Sequence, residues 1–263
     1  MIVTSVMPLP APEEIHLWFV FCDRIRDRTL LARYRELLSA QEREQEKRLL
    51  QPRGRHRYLL TRALVRTTLS RYAAVAPEDW LFASDEYGRP RILNERPDTA
   101  DLSFNISHTE EVVLLGVANR YALGVDVEKV RRSTPVLQLA QRYFSAIETR
   151  GLHEQEAARQ QQRFFEYWTL KESYIKARGL GLSIPLDQFS FHIADHELSL
   201  QIEPQSNDAA DRWRLWLLRP CPEHLAAVCA ERILPAQSLV ARAVVPLHSE
   251  HAMTCELLAR SPA

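Results

Sequence analysis

The stretch FFEYWTLKESYIKARGLGLSIPL, Phe164–Leu186, opens as a helix and closes on a double stop. Phe164, Trp168, Leu170, Ile175 and Ala177 give it an apolar flank as far as Arg178, and neither Pro nor Gly interrupts the run. Gly179 and Gly181 end the helix, and Pro185 prevents its resumption. Trp168, Glu172 and Lys176 recur every fourth residue and stack in one row. Alone, the Glu172–Lys176 pair reads first as an exposed ion pair worth a few tenths of a kcal/mol. A second acidic cluster upstream, Asp126–Glu128, weighs toward a functional row.

That cluster sits in Tyr121–Val130, which alternates as a strand: Val125 and Val127 face one way, Asp126 and Glu128 the other. The segments Phe104–His108 and Val112–Ala118 just before it read as a hairpin turning at Thr109–Glu111. Further upstream, IHLWFVFC (Ile15–Cys22) reads as a buried strand. Three helices follow it, over Arg24–Leu38, Ala40 to about Leu50 (Ser39 and Glu42 forming a capping box) and Arg53–Tyr72. The third turns Leu59, Ala63, Leu64 and Leu69 inward and keeps Arg57, Arg62, Arg66 and Arg71 at its margins. Trp80–Ala83 is a short strand, and DEYGRP a turn built on Gly88 and Pro90.

Beyond the strand, a helix starts at Ser133 or Thr134 with Pro135 and runs through Phe144. His153–Arg163 is a solvated lead-in to the long helix. Short strands follow at Phe189–Ile193, Leu198–Ile202, Arg212–Leu218 and Leu225–Ala230, and residues 235–263 are weakly patterned. Strand, helices, turn and hairpin therefore occur twice in the same order. The expected fold class is α+β: two halves of similar build, residues 1–120 and 121–234, and an extension, 235–263, packed on the first half or partly disordered.

Composition bounds the function. Of 263 residues, 34 are Lys or Arg and 34 Asp or Glu, so no global basic field points to nucleic acid. The four cysteines are scattered without metal spacing, which reads as reduced thiols in a cytoplasmic protein. No secretion signal or membrane span is legible.

Asp126 and Glu128 leave one strand face roughly 6–7 Å apart at Cα. They are either the solvent side of an edge strand or part of a hard-cation site, which Glu172 would complete. Three clustered acids repel unless a cation compensates them. Lys176, one turn on, and Lys171, beside Glu172, point to phosphate as the ligand. His108 at a strand end, and Arg43 and Arg57 on helices, are each either structural or anion-binding. Ser107 and His108 are neighbours on a strand and face opposite ways, which argues against a nucleophilic pair. HSEH near the C-terminus lacks partner ligands for a metal.

FNISH (Phe104–His108), GVDVEKV (Gly124–Val130) and WTLKESYIKARGLGLSIPL (Trp168–Leu186) together resemble the signature blocks of the Sfp-type 4'-phosphopantetheinyl transferases. The resemblance extends to RHRYLLTRALVR and EYGRP and covers roughly Ala40 to Phe191. It implies two pseudo-symmetric α+β halves with the active site in the cleft between them. It also implies an enzyme that moves the phosphopantetheine arm of coenzyme A to a serine hydroxyl of an apo acyl or peptidyl carrier protein and releases adenosine 3',5'-bisphosphate; because two halves already form one cleft, a monomer is expected. Carrier proteins of this kind serve fatty acid, polyketide or nonribosomal peptide biosynthesis. The implied cofactor is Mg2+, held by Asp126, Glu128 and Glu172. By the same resemblance, Lys176 contacts the pyrophosphate, Arg57 and His108 with neighbouring Ser107 the coenzyme A phosphates, and Gly88, Arg89 and Pro90 the adenine. Arg43 supplies one basic residue of a pair the family often carries; the second position falls on Glu46.

On this reading Glu172 is the general base for the serine, directly or through a water, and Lys176 neutralises phosphoryl charge. Lys129, Arg131, Arg132 and Arg142, with Leu137, Tyr143 and Phe144, form the expected dock for an acidic carrier. The alternatives are a metal-dependent nucleotide pyrophosphate hydrolase and a non-catalytic coenzyme A or carrier-binding protein.

Overall fold

In the computed structural model residues 7–131, 134–233 and 237–262 are described. The chain divides into two compact units. One contains residues 7–85, Pro90–Arg120 and Ser238–Met253; the other contains Glu86–Arg89, Tyr121–Gln237 and residues 254–262. No helix of the described residues is long and apolar enough to cross a membrane.

In chain order the elements of the first unit begin with β1 (Glu14–Phe21), α1 (Arg28–Glu36), α2 (Ala40–Arg48) and α3 (Pro52–Leu69). They continue with β2 (Phe82–Ser84), β3 (Pro90–Ile92), β4 (Leu102–His108) and β5 (Val112–Asn119). The second unit supplies β6 (Leu123–Lys129), α4 (Val136–Tyr143), α5 (Ala146–His153) and α6 (Ala157–Arg178). After them come β7 (Phe189–Ala194), β8 (Glu197–Ile202), β9 (Trp213–Cys221) and β10 (His224–Glu231). Residues read as weakly patterned form three further strands, β11 (Ser238–Val245), β12 (Ser249–Ala252) and β13 (Glu256–Arg260).

Among the described residues of the first unit, a five-stranded sheet runs β12-β11-β1-β5-β4. β1 is central because Ile15–Val20 are apolar except for His16 and buried throughout, so both faces are covered. The Ser39–Glu42 capping box opens α2 as the sequence predicts. α3 lays Leu59, Leu60, Ala63, Leu64 and Leu69 on a core with Trp18, Val20, Phe104 and Leu115. Each full burial of a leucine is worth about 2 kcal/mol. Arg66 departs from the sequence reading. It is buried rather than marginal, because its guanidinium pairs with Glu42 at 2.7 Å and donates to the carbonyls of Pro77 and Trp80.

The second unit's sheet runs β6-β10-β9-β13-β8-β7. The two halves repeat one pattern. β1 and β6 lead each half, three helices follow with the third longest, and the short hairpins β2–β3 and β7–β8 come next. Then β4–β5 and β9–β10 form hairpins whose second strand pairs antiparallel with β1 or β6. The C-terminal residues break the pattern. β11 joins β1 in parallel, whereas β13 enters the other unit's sheet beside β9, so the extension is shared rather than laid on the first half.

Candidate active site

Gly124, two residues before Asp126, sets the site's geometry. A Cβ there would lie 2.0 Å from the carbonyl oxygen of Ser173 and 2.3 Å from the amide nitrogen of Ala177. α6 therefore presses its backbone onto β6 at this point, an approach that only glycine permits. Residues 172 and 176 sit one step round the helix from that contact. Asp126 and Glu128 follow Gly124 on the same strand face. The close crossing thus delivers Lys176 Nζ to 2.7 Å from Asp126 Oδ1. Just past Arg178, Gly179 caps α6 in the left-handed conformation, φ 69°.

The electrostatics show that the three acids share this spot. Burial first, then Asp126 and Glu172, push the Glu128 carboxyl up to about 7 against the pull of Lys176 and Arg131. The Glu172 carboxyl is also raised, first by burial and then by Asp126, with Lys176 opposing. Such crowding is what a divalent charge relieves. Three carboxylates suit a hard cation such as Mg2+ better than a thiophilic one. Among the described residues no three carboxylate, thiol or imidazole groups already stand in ligating positions.

Tyr87–Arg89 belongs to the same unit and packs on the turn after α6. Gly181 has Tyr87 so near that an added Cβ would meet the Tyr87 Cβ at 3.2 Å and its ring at 3.4 Å. Gly179 likewise lies under the Arg89 guanidinium, which donates to the Leu123 carbonyl at 3.4 Å. Gly88 makes this bend in the left-handed region, φ 82°. Arg89 therefore lies beside the start of β6, next to the α6 crossing. Pro90 opens β3 in the other unit.

Lys171 is not an anion ligand, and the reading that pairs it with phosphate is corrected. It is fully buried, forming an ion pair with Glu148 at 2.7 Å and donating to the carbonyls of Leu186 and Phe189. Its ammonium also lies over the Phe189 ring at 4.2 Å. The reason is helical geometry: neighbours in sequence are about 100° apart round the axis. Lys171 thus falls on the buried stripe of Phe164, Tyr167 and Tyr174 and not on the Glu172 row. Burial lowers its pKa against the pull of Glu148. Lys171→Met would leave the Glu148 carboxylate buried without its cation. The expected loss is about 3–5 kcal/mol of stability, read as a lower midpoint in thermal or urea unfolding.

The remaining predicted residues lie in the first unit. Arg53, at the start of α3, is 3.7 Å from Glu110 in the β4–β5 turn, and His56 reaches the Cys22 carbonyl at 3.1 Å. Arg57, half-buried, follows one turn later, and the exposed His108 ends β4 just before that turn. Arg57 and His108 thus share one end of this unit, with Ser107 buried behind His108. Arg43 is exposed on α2 and donates to the Leu38 carbonyl. Glu46 is buried in an ion pair with Arg35 at 3.0 Å, which accounts structurally for the acid at that position. Sequence reasoning missed Gly124 and the Ser145–Glu148 capping box that opens α5. The S-x-x-E spacing signals the box, whereas nothing local signals the Gly124 contact.

Comparison with known proteins agrees with this geometry. A family model described as the 4'-phosphopantetheinyl transferase superfamily matches residues 122–229, the span that contains Asp126, Glu128, Glu172 and Lys176. A second, described as 4'-phosphopantetheinyl transferase, N-terminal, matches residues 27–120. The chain is 33% identical over 187 residues to 4'-phosphopantetheinyl transferase Sfp of Bacillus subtilis, covering 71% of this chain and 80% of that protein. It is 31% identical over 217 residues to 4'-phosphopantetheinyl transferase HetI of a Nostoc species, covering 82% and 87% of the two. With both halves matched and the acidic crossing inside the matched span, the chain belongs to the Sfp-type 4'-phosphopantetheinyl transferase family.

Proposed function

We infer that this chain transfers the 4'-phosphopantetheinyl group of coenzyme A to a serine hydroxyl of an apo acyl or peptidyl carrier protein and releases adenosine 3',5'-bisphosphate. The observation that carries this reading is the gathering of Asp126, Glu128 and Glu172 with Lys176 where α6 crosses β6. The serine oxygen attacks the phosphorus that bears the pantetheine arm, and the pyrophosphate P–O bond to the nucleotide breaks. A hydroxyl needs its proton removed as it attacks. Glu172, its carboxyl already raised by burial and by Asp126, accepts that proton. Lys176 offsets the negative charge that grows on the phosphoryl oxygens. Arg57 and His108 are assigned to the phosphates of coenzyme A, and Arg89 with Gly88 and Pro90 to its adenine. Asp126, Glu128 and Glu172 would hold Mg2+, which when bound supplies positive charge to the pyrophosphate.

One incubation separates the possible activities. The chain is mixed with coenzyme A, Mg2+ and an apo carrier, and the carrier is then weighed. A mass gain on the serine supports transfer. Free phosphopantetheine instead means hydrolysis, and neither product means binding alone.

We place the carrier dock at the end of β6 and on the chain that follows it. Arg131 and Arg142 are exposed, the Arg142 guanidinium lies over the Tyr143 ring at 5.2 Å, and half-buried Lys129 pairs with Glu223 at 3.3 Å. Arg132 lies outside the described residues. Phe144 is removed from this surface, because it is buried and stacks on Phe164 at 5.0 Å. Ile147, 59% exposed at the start of α5, offers an apolar contact in its place. Reversing Arg131 and Arg132 to Glu is expected to raise the KM for an acidic carrier roughly tenfold. Coenzyme A affinity should stay unchanged; an unchanged carrier KM in steady-state assays would remove the dock from this surface.

A further inference from the structure

Two thiols of the second unit lie at the junction of β9, β10 and β13, where His224 of β10 also pairs with Lys129 of β6. β9 ends on Cys221 and β10 begins on His224; the two are cross-strand partners, with Sγ and Nδ1 3.3 Å apart. β13 runs antiparallel to β9, with Glu256 opposite Arg219 and Leu257 opposite Leu218. Continuing that register places position 254 opposite Cys221 and Cys255 next along. Strand spacing and rise put the Cα atoms of Cys221 and Cys255 on the order of 6 Å apart, inside the span a disulfide bridges, roughly 4.4–6.8 Å. Cys255 precedes the first ladder residue of β13, so the pleat does not fix the direction of its side chain. Both thiols are half-buried, whereas Cys22 and Cys229 are fully buried.

We propose that Cys221 and Cys255 form a reversible disulfide by exchange with a low-molecular-weight disulfide such as oxidised glutathione. Cys221, with an imidazole nitrogen beside its sulfur, gives up its proton and attacks one sulfur of the small disulfide. One small thiol leaves and a mixed disulfide remains on Cys221. The Cys255 sulfur, deprotonated to solvent, then attacks the Cys221 sulfur and expels the second small thiol. Two protein thiols are oxidised and one small disulfide is reduced to two thiols. The Cys255 thiol is pushed up to about 11, first by burial and then by Cys221. Cys22, pushed up to about 12 by burial, and Cys229, raised well above the usual range, do not compete.

The test exposes the full chain to oxidised glutathione at mildly alkaline pH and follows intact mass and non-reducing peptide maps over time. The expected course is a transient glutathionyl adduct on Cys221, then its loss with the mass of two hydrogens missing and a peptide that joins Cys221 to Cys255. The oxidised chain should melt roughly 5–10 °C higher. Cys255→Ser should trap the adduct on Cys221, and Cys221→Ser should form neither adduct nor bridge. An adduct on Cys221 that never resolves in the unsubstituted chain, a bridge through another cysteine, or no reaction at all overturns the proposal.

Discussion

Glu172→Gln is expected to slow serine modification by roughly 10²–10⁴-fold while the chain still binds coenzyme A. The substitution keeps the size and planarity of the side chain but removes its ability to take a proton. Glu172 stands on the α6 row with Lys176, and its carboxyl is raised by burial and by Asp126. A base so raised accepts a proton more readily than an ordinary surface carboxylate. The measurement is a single-turnover time course of carrier mass, paired with calorimetric titration of coenzyme A. Modification at the parent rate would remove Glu172 from the base role. Loss of coenzyme A binding together with the rate would assign it to holding the donor instead.

Gly124→Ala should unfold the chain more easily and silence it together. The added methyl would meet the backbone of α6, the Ser173 carbonyl oxygen at 2.0 Å and the Ala177 nitrogen at 2.3 Å, so no side-chain rotation relieves it. α6 must lift from β6, at a cost of about 3 kcal/mol, which lowers the melting temperature by roughly 6–12 °C. The same lift carries Lys176 away from Asp126, now 2.7 Å apart. Gly54→Ala serves as the control, because the nearest atom to its Cβ is Gln51 Cβ at 3.9 Å. On a helix that change should be neutral or slightly stabilising. A parent-like melt for Gly124→Ala would show that the crossing is not tight.

Local signals carried much of this into the sequence. The Ser39–Glu42 box, the Gly179 stop and the β4–β5 turn at Thr109–Glu111 each depend on residues within a few positions, and each stands where the sequence places it. The acid alternation in β6 and the Glu172–Lys176 row were legible for the same reason. What was not legible depends on distant partners. Glu14 and Ser238 face each other across the β1–β11 ladder, and no local pattern in 238–245 announces that pairing. Lys171 was misplaced because adjacency in sequence stood in for adjacency in space. Its partner Glu148 lies on another helix. Gly124 carried no signal at all, since its role exists only once α6 is laid across it.

The parallel pairing of β11 with β1 bears on how the chain emerges from a ribosome. β1, with the apolar run IHLWFVF, is synthesised early, yet the strand that covers one of its two edges comes from residues 238–245. Until those residues appear, the nascent N-terminal unit presents an open, oily hydrogen-bonding edge of the kind that templates aggregation. Truncation before Ser238 would leave that edge of β1 permanently open.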